Sequence, residues 1–217
     1  MGQKINPTGF RIGKFKAWKS RWFSDDSNYK DLLVEDIKIR KMLMERLEIA
    51  GINDVQIERL PKSKNIILTV SRPGVVIGRG GTGIEDLRKD IVKLIGKIRG
   101  ASPKDLKIDL QVMEVRNPDL SAHLVAKRIV FELERRIPHR RVVTRAMERV
   151  VQAQARGVKV VLSGRIGGAD ISRVEKYQEG SIPAQTLRED IDYASVPASL
   201  KKGYVGVKVW IYKPEEK

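Results

Sequence analysis

The chain has 217 residues, 41% of them hydrophobic, which is enough for one or two domains with a real core and excludes disorder throughout. It has no cysteine, which excludes disulfides, thiolate metal ligands and cysteine nucleophiles. Its 43 basic and 27 acidic residues leave a net charge of +16, which favours RNA or DNA as a partner because neutralised phosphates release condensed counterions.

The basic residues are spread along the whole chain, and this distribution indicates no membrane partner. No apolar run approaches the roughly 20 residues that span a bilayer. The N-terminus lacks an apolar stretch of the secretory type. It opens like a myristoylation signal, but Asn6 stands where that signal needs serine or threonine. We therefore expect no membrane association.

Residues 1–28 are predicted to form a basic N-terminal arm, because their hydrophobic periodicity is poor. Cations alternate there with rings such as Phe10 and Trp18, a pattern suited to phosphate contact combined with base stacking. The alternative is that the rings pack on the arm's own domain. We expect the rings to be mainly structural and the cations to contact RNA. The candidate RNA-binding residues are Lys4, Arg11, Lys14, Lys16, Lys19 and Arg21.

Residues 29–117 predict a helix, two strands, a glycine loop, a second long helix and a third strand. The first helix covers 29–50 and ends at Gly51. A turn is predicted at 61–64, a loop at 100–105, and a domain boundary at the Asn-Pro pair 117–118. The apolar face of the first helix is predicted to carry Leu33, Ile37, Met44 and Leu47.

The glycine loop is the GxxG tetrapeptide formed by Gly78, Arg79, Gly80 and Gly81. Glycines without Cβ atoms let a phosphate come close to the backbone, and a following helix N-terminus and an arginine add positive charge. A K-homology loop clamps single-stranded RNA in this way. A short helix is predicted before the loop at 74–77, and a capping box after it at Thr82 and Glu85.

The same stretch also contains the spacing GxGxxG of dinucleotide-binding loops, through Gly78, Gly80 and Gly83. A dinucleotide fold needs a strand directly before the loop and further strand–helix units after it, and this order is missing. No Gly-Lys-Ser/Thr is present, so the Walker loop is excluded. A purely structural turn would explain the glycines but not Arg79. RNA binding is therefore favoured over a nucleotide cofactor.

Residues 118–217 predict a second domain, with two helices followed by antiparallel strands. Strands are expected at 158–162 and 205–211, with a pair of strands within 170–193. The apolar stripes of the helices are predicted as Ala122, Val125, Ile129 and Leu133, and as Val143, Met147, Val150 and Val151. A glycine-rich turn at 164–170 is interpreted as a hairpin near RNA, with Arg165, Arg173 and Lys176 as candidate contacts.

Six arginines lie within fifteen residues of this second domain. Three of them, Arg141, Arg145 and Arg149, recur every four positions and so share one helix face. A solvated face is the ordinary explanation of such a run, but charge of one sign and the forked shape of arginine favour nucleic acid. The candidate contacts to messenger RNA are Arg135, Arg136, Arg140, Arg141 and Arg145.

No catalytic arrangement is recognisable in the sequence. The two histidines, His123 and His139, have no metal-ligand spacing, and Ser163 does not lie in a nucleophile elbow. We therefore predict no catalytic residue, no metal site, no cofactor and no small-molecule substrate. The chain is predicted not to be an enzyme.

Several sequence blocks resemble bacterial small-subunit ribosomal protein three, in the order of that family and over almost the whole chain. The opening MGQKINPTGFRIG is the first such block, and RPGVVIGRGG around the glycine loop is the second. Further blocks lie at 133–136 (LERR), 162–173, 186–193 and 206–211.

This resemblance implies an α+β protein of two domains after the arm. They would be a K-homology domain of the prokaryotic type at 29–117 and an αα plus antiparallel-sheet domain at 118–217. It also implies a cytoplasmic protein in the head of the small ribosomal subunit, on the 3′ domain of its ribosomal RNA. Neighbours would be small-subunit proteins ten and fourteen.

The resemblance further implies that the protein, together with proteins four and five, lines the channel through which messenger RNA enters. There the family's basic residues help to separate paired messenger. Arg140 and Arg141 occupy two of those positions. The third, often lysine in the family, is Thr144 here, with Arg145 beside it.

Two other hypotheses belong to different classes. A free-standing K-homology regulator would lack the arm and the second domain. A dinucleotide-dependent enzyme would bind NAD, which a binding experiment excludes or reveals.

Overall fold

A computed structural model describes residues 4–60, 63–99 and 107–214 and shows two compact units. One unit is Trp18–Arg116, and the other combines residues 4–17 with 117–214. The helices are α1 (Pro7–Arg11), α2 (Asp26–Arg46), α3 (Pro73–Ile77), α4 (Thr82–Arg99), α5 (Ala122–Glu134) and α6 (His139–Gln152). The strands are β1 (Ser20–Arg21), β2 (Ile52–Arg59), β3 (Ser63–Val70), β4 (Lys107–Glu114), β5 (Gly157–Gly164), β6 (Arg173–Gly180), β7 (Ile191–Leu200) and β8 (Gly203–Tyr212).

The unit Trp18–Arg116 has the element order α2-β2-β3-α3-α4-β4, with its sheet ordered β1-β2-β3-β4. Strands β2 and β3 are antiparallel, and β3 and β4 are parallel. This is the K-homology arrangement of the prokaryotic type, so the predicted α+β class is confirmed. The loop expected at 100–105 and residues 61–62 of the expected turn lie outside the described residues.

The predicted apolar face of α2 is largely wrong. Leu33 and Ile37 are 36% and 54% exposed, whereas Ile39 and Leu43 are fully buried. Met44 is only partly buried, and Leu47, which follows the helix, is buried as predicted. The reason is that the buried face of α2 also carries charged residues, so a hydropathy pattern does not identify this face as buried.

Those charged residues form a buried ion cluster between α2 and the sheet. Asp36 accepts from the guanidinium of Arg59, and Glu35 accepts from the ammonium of Lys64. Arg59 Nη1 also lies 3.3 Å from Glu35, and Trp22 Nε1 donates to Asp36 at 2.7 Å. Each buried charge is thus paired, which such burial requires.

The second unit packs α5 and α6 on one face of an antiparallel sheet ordered β6-β5-β8-β7. The predicted stripe of α5 is confirmed, since Ala122, Val125, Ile129 and Leu133 are all buried. On α6 the prediction fails only for Val151, which is 39% exposed. The strand expected at 205–211 is confirmed as part of β8, and its alternating valines are buried.

The expectation of two strands paired with each other within 170–193 is wrong. Only β6 lies wholly within that range, and it pairs with β5 across the glycine-rich turn. Strand β7 begins at Ile191 and pairs with β8. The hairpin predicted around the glycine-rich turn at 164–170 is confirmed, because this turn joins the antiparallel strands β5 and β6.

The segment 1–28, predicted as one arm, is shared between the two units. Residues 4–17 belong to the unit of α5 and α6, and β1 extends the other sheet by pairing with β2. No helix within the described ranges 4–60, 63–99 and 107–214 is long and apolar enough to cross a membrane.

Candidate nucleic-acid interface

The GxxG loop joins α3 to α4, as the K-homology reading requires. Gly78 has φ 70° and ends α3, and residues 79–81 form one turn of 3-10 helix in which Gly80 has φ 62°. These backbone conformations favour glycine. The loop follows a helix rather than a strand, so it lacks the strand-to-helix turn that holds a dinucleotide pyrophosphate.

The glycines of this region serve two different purposes. A Cβ atom on Gly80 or Gly81 would meet nothing within 4 Å, so this side of the loop is open to a ligand backbone. A Cβ on Gly83 would lie 2.4 Å from the Val76 carbonyl oxygen. Gly83 therefore allows α3 and α4 to approach closely, which explains the GxGxxG spacing without a nucleotide.

The residues around the loop differ in part from the sequence expectation. The Thr82 hydroxyl donates to the Arg79 carbonyl oxygen at 3.0 Å, where a capping box had been predicted. The Arg79 side chain is exposed and makes no ion pair within the part of the chain that the structure describes. Val75 on α3 and Met113 on β4 are at least half exposed. The loop thus combines an open backbone and a cation with apolar side chains on neighbouring elements.

An arginine ridge runs along α6; we use this name for Arg140, Arg141, Arg145 and Arg149. Three of the four are exposed and Arg145 is partly exposed. Arg140, Arg141 and Arg145 border a shallow depression with Thr144 and Glu148. In the described residues, no member of the ridge forms an ion pair within 4 Å. Arg141, Arg145 and Arg149 are all at least partly exposed, as expected for residues that share one outward face of α6.

The other two predicted arginines lie where α5 ends. The guanidinium of Arg135 sits 4.0 Å from the centre of the Phe131 ring, and this ring is half exposed. Arg136 is exposed and has a left-handed backbone with φ 61°. Both side chains are thus outside the core.

A network of charged and polar side chains on β6 contacts the beginning of the ridge. On β6, Glu175 lies 2.8 Å from Arg173 Nε and 3.0 Å from His139 Nε2, and the Tyr177 hydroxyl donates to it at 2.6 Å. The charge of Arg140 acts on both Glu175 and Tyr177. Glu175 therefore links the start of α6 to β6, a role that no sequence motif indicated.

The network changes the ionisation of its members. The hydrogen bond from Tyr177 lowers the pKa of Glu175, and nearby His139 and Arg173 act in the same direction against partial burial. Burial and the same hydrogen bond raise the pKa of Tyr177. The Glu175 carboxylate is therefore held ionised among cations.

Arg11, predicted to contact RNA, is instead an internal clamp. Its side chain is buried, at 1% exposure. It donates to the carbonyl oxygens of Glu189 at 2.8 Å, Thr186 at 2.7 Å and Pro7 at 3.1 Å. A buried guanidinium with these partners cannot reach a phosphate, so the prediction for Arg11 is corrected. Nothing in a basic arm distinguishes such an arginine by sequence.

The other predicted cations of the arm differ in their surroundings. Lys16 is mostly covered and donates to the Ile191 carbonyl oxygen at 2.9 Å. Lys19 and Arg21 are half exposed, and they pair with Asp54 at 2.9 Å and with Glu58 at 3.4 Å. Lys4 and Lys14 are exposed.

The candidates around the glycine-rich turn separate in the same way. Arg165 braces the turn, because it donates to the Ala169 carbonyl oxygen at 2.8 Å and to Asp170 at 3.1 Å. Lys176 is exposed on β6. Burial lowers the pKa of Lys159 on β5, and the charges of Lys4 and Lys176 lower it further. These three lysines form a cluster of like charge.

Comparison with known proteins gives two family matches in the order of the two units. A model described as KH domain matches residues 38–120. A model described as Ribosomal protein S3, C-terminal domain, matches residues 129–211.

Curated relatives match over nearly the full length. The chain is 46% identical to small ribosomal subunit protein uS3 of Caldicellulosiruptor saccharolyticus, over 98% of this chain and 92% of the relative. It is 48% identical to the protein of the same name from Natranaerobius thermophilus, over 99% and 90% of the two chains. The protein of that name from Persephonella marina is 47% identical over 100% and 92%.

Proposed function

Because this chain belongs to the family of small ribosomal subunit protein uS3, we propose that it binds the 3′ domain of the ribosomal RNA in the head of that subunit and lines the channel through which messenger RNA enters. Membership makes it a structural component of the small subunit and not an enzyme.

The arginine ridge of α6 carries the proposal for messenger RNA. Many lysines and arginines in the described parts of the chain have an acidic partner, but Arg140, Arg141 and Arg145 have none within 4 Å. Exposed guanidinium groups of one sign repel each other, and a polyanion removes that repulsion. Arg135 and Arg136 extend the same positive charge to the end of α5.

Contact with messenger RNA needs no bond chemistry. Guanidinium forks can hold the phosphates of both separated strands while the ribosome advances, so opened pairs do not close again. Thr144 contributes no charge at the position where the family often has lysine, and Arg145 is the nearest substitute on the same helix.

The GxxG loop supports the proposal for ribosomal RNA. Gly80 and Gly81 leave space for a sugar-phosphate backbone, and Arg79 supplies the charge. We assign the exposed residues Lys4, Lys14 and Lys176 to the same RNA, together with the half-exposed Lys19, Arg21 and Arg173. We assign Arg165 to bracing the glycine-rich turn at 164–170. Proteins ten and fourteen are proposed as neighbours in the head, and four and five at the channel.

Crosslinking in assembled particles tests this function. Small subunits are assembled with a photoreactive amino acid in place of Arg79 or Arg140, and they are then isolated on a gradient and irradiated with bound messenger. We expect crosslinks from position 140 to messenger and from position 79 to ribosomal RNA. Crosslinks to protein alone, or a chain that never sediments with the small subunit, would contradict the proposal.

A comparison of two double variants distinguishes the effect of net charge from the effect of where the charge lies. Arg141→Ala with Arg145→Ala should reduce the opening of a base-paired messenger, while Lys89→Ala with Lys93→Ala should not. The control removes the same formal charge from α4, where both lysines are exposed and paired with aspartates. Equal effects of the two double variants would show that only net charge matters.

A further inference from the structure

The sheet of the second unit has a face that is turned away from α5 and α6, which we call the outer face. Along β5, Val158, Val160 and Leu162 are buried beneath the helices. Because side chains alternate along a strand, Lys159 and Val161 point to the other side. The outer face is thus defined by the strand register.

The register brings lysines and rings together on the outer face. In one row, Val161 on β5 pairs with Lys176 on β6 and with Lys208 on β8. In the neighbouring row, Lys159 pairs with Trp210. Tyr204, the second residue of β8, lies on the same face and is 72% exposed. Lys176 and Lys208 are exposed as well.

The acidic residues of these strands lie on the face of the sheet that is turned toward the helices. On β6, Glu175 and Glu179 alternate with Lys176, and Glu175 contacts His139 at the start of α6. On strands β5, β6, β7 and β8, all of which the structure describes, every outer-face position is neutral or basic. Positive charge is therefore concentrated on one side of the sheet.

At the end of the sheet where β7 begins, the surroundings carry both signs of charge, because Asp190 lies 3.0 Å from Lys16 and Glu189 accepts from the Tyr212 hydroxyl. The arm contacts the end of the sheet where β7 begins, through Lys16 and Ile191, and it brings Lys4 close to Lys159. Burial lowers the pKa of Lys159, and the charges of Lys4 and Lys176 lower it further. Away from that end, Lys176 and Lys208 lie in one exposed row, and within the described residues neither has an acidic partner within 4 Å, which favours a polyanionic ligand there.

We propose that the outer face binds a single-stranded segment of RNA, with Lys159, Lys176 and Lys208 against phosphates and Tyr204 stacked on a base. Four-stranded sheets that present cations and flat rings bind single strands by this chemistry. The inference rests on the proposed RNA-binding function and extends it to the side of the sheet opposite α6. An acidic protein would satisfy the lysines but not the need for a stacking partner on Tyr204.

The salt dependence of binding tests the lysines. The full chain and its variant with Lys176→Ala and Lys208→Ala are titrated with a short unstructured RNA at several salt concentrations. Each lost phosphate contact should reduce the slope of log K against log salt by about 0.7, so the double variant should lose about 1.4. The variant with Lys89→Ala and Lys93→Ala, which removes two ion-paired lysines, should lose less.

A second pair of variants tests the ring. Tyr204→Leu should weaken binding about five-fold or more and should reduce the quenching of a 2-aminopurine base in the RNA, because stacking contributes about 1 kcal/mol or more per base. Tyr204→Phe keeps the aromatic face and should bind like the original chain. Neither variant should change the salt slope, since the ring carries no charge.

The outcomes separate this inference from the function on which it rests. If the unaltered chain binds no RNA at low salt, the proposed function fails. If it binds but the lysine variant keeps its slope and Tyr204→Leu keeps its affinity, only the outer-face proposal is overturned. A photocrosslinker at position 204 in assembled subunits then identifies the source. A crosslink to ribosomal RNA or to messenger supports the proposal, and one to protein alone overturns it.

Discussion

At the residue scale, the glycines of the GxxG region show that one residue type has two roles within six positions. Backbone atoms lie close to the position that a Cβ on Gly83 would take, whereas the corresponding position at Gly80 is open. A substitution at Gly83 therefore tests the packing of α3 on α4, and a substitution at Gly80 tests ligand contact. Sequence alone predicted the importance of the loop but not this division, because burial separates the two roles.

Gly80→Asp should weaken RNA binding more than Gly80→Asn does. Both side chains tolerate the left-handed backbone better than most residues, and both extend into open space, but only aspartate repels a phosphate. Affinity for single-stranded RNA and the thermal unfolding midpoint should be measured for both at matched salt. Equal RNA affinities would show that the loop does not face phosphate.

Glu175→Gln should lower stability at neutral pH more than at pH 3. The pKa of Glu175 is lowered in the folded chain, so its carboxylate stabilises the fold above the ordinary glutamate pKa of about 4.3 and loses this effect as pH falls through the folded value. Urea unfolding of both proteins at pH 7 and pH 3, followed by circular dichroism, measures the difference. An equal difference in unfolding free energy between the two proteins at both pH values would contradict this prediction.

At the scale of elements, the order of helices and strands was predictable, but the buried face of α2 was not. Hydrophobic spacing pointed to Leu33 and Ile37, because Glu35 and Asp36 are polar by type. Their burial depends on ion pairs with Arg59 on β2 and Lys64 on β3. Long-range charge pairing of this kind leaves no periodic pattern in one helix.

Asp36→Ala should destabilise the unit Trp18–Arg116 by about 3–5 kcal/mol, because Arg59 would keep a buried charge with one partner removed. Glu58→Ala, which breaks the half-exposed pair with Arg21, should cost about 1 kcal/mol or less. Chemical denaturation of both variants compares these costs. A small loss for Asp36→Ala would show that water reaches the cluster.

The pairing of β5 illustrates a second limit at this scale. The turn at 164–170 predicted that β5 pairs with β6, but alternation did not predict that β5 also pairs with the distant strand β8. The arm was also assigned as one piece, although residues 4–17 and 18–28 belong to different units. Partner choice depends on buried contacts such as those of Arg11, which have no counterpart in local sequence.

At the scale of the whole molecule, charge and family blocks were sufficient to predict class and function. The net charge of +16 indicated a polyanion, and the blocks in order along the chain gave the family, which the relatives confirm. The candidate site was predicted less well. The structure leaves the ridge and the loop exposed but buries Arg11, and the outer-face proposal brings in Lys159, Lys208 and Tyr204.

The affinity of the isolated chain for structured small-subunit RNA should fall steeply with salt. If at least six phosphates are contacted, affinity drops by about 10³-fold or more between 50 and 200 mM salt, because counterions are released on binding. Filter binding over that range measures the slope. A nearly flat dependence would show that the excess charge does not contact phosphate.

The buried clamp of Arg11 also has a consequence for biogenesis. The arginine leaves the translating ribosome early, yet Glu189, one of its acceptors, is made 178 positions later. At about 5–20 residues per second, this delay is roughly 10–35 s. The unit Trp18–Arg116 is continuous in sequence and is available for folding first, while the preceding segment waits without its acceptor. A nascent chain therefore carries its earliest segment unanchored until synthesis is almost finished.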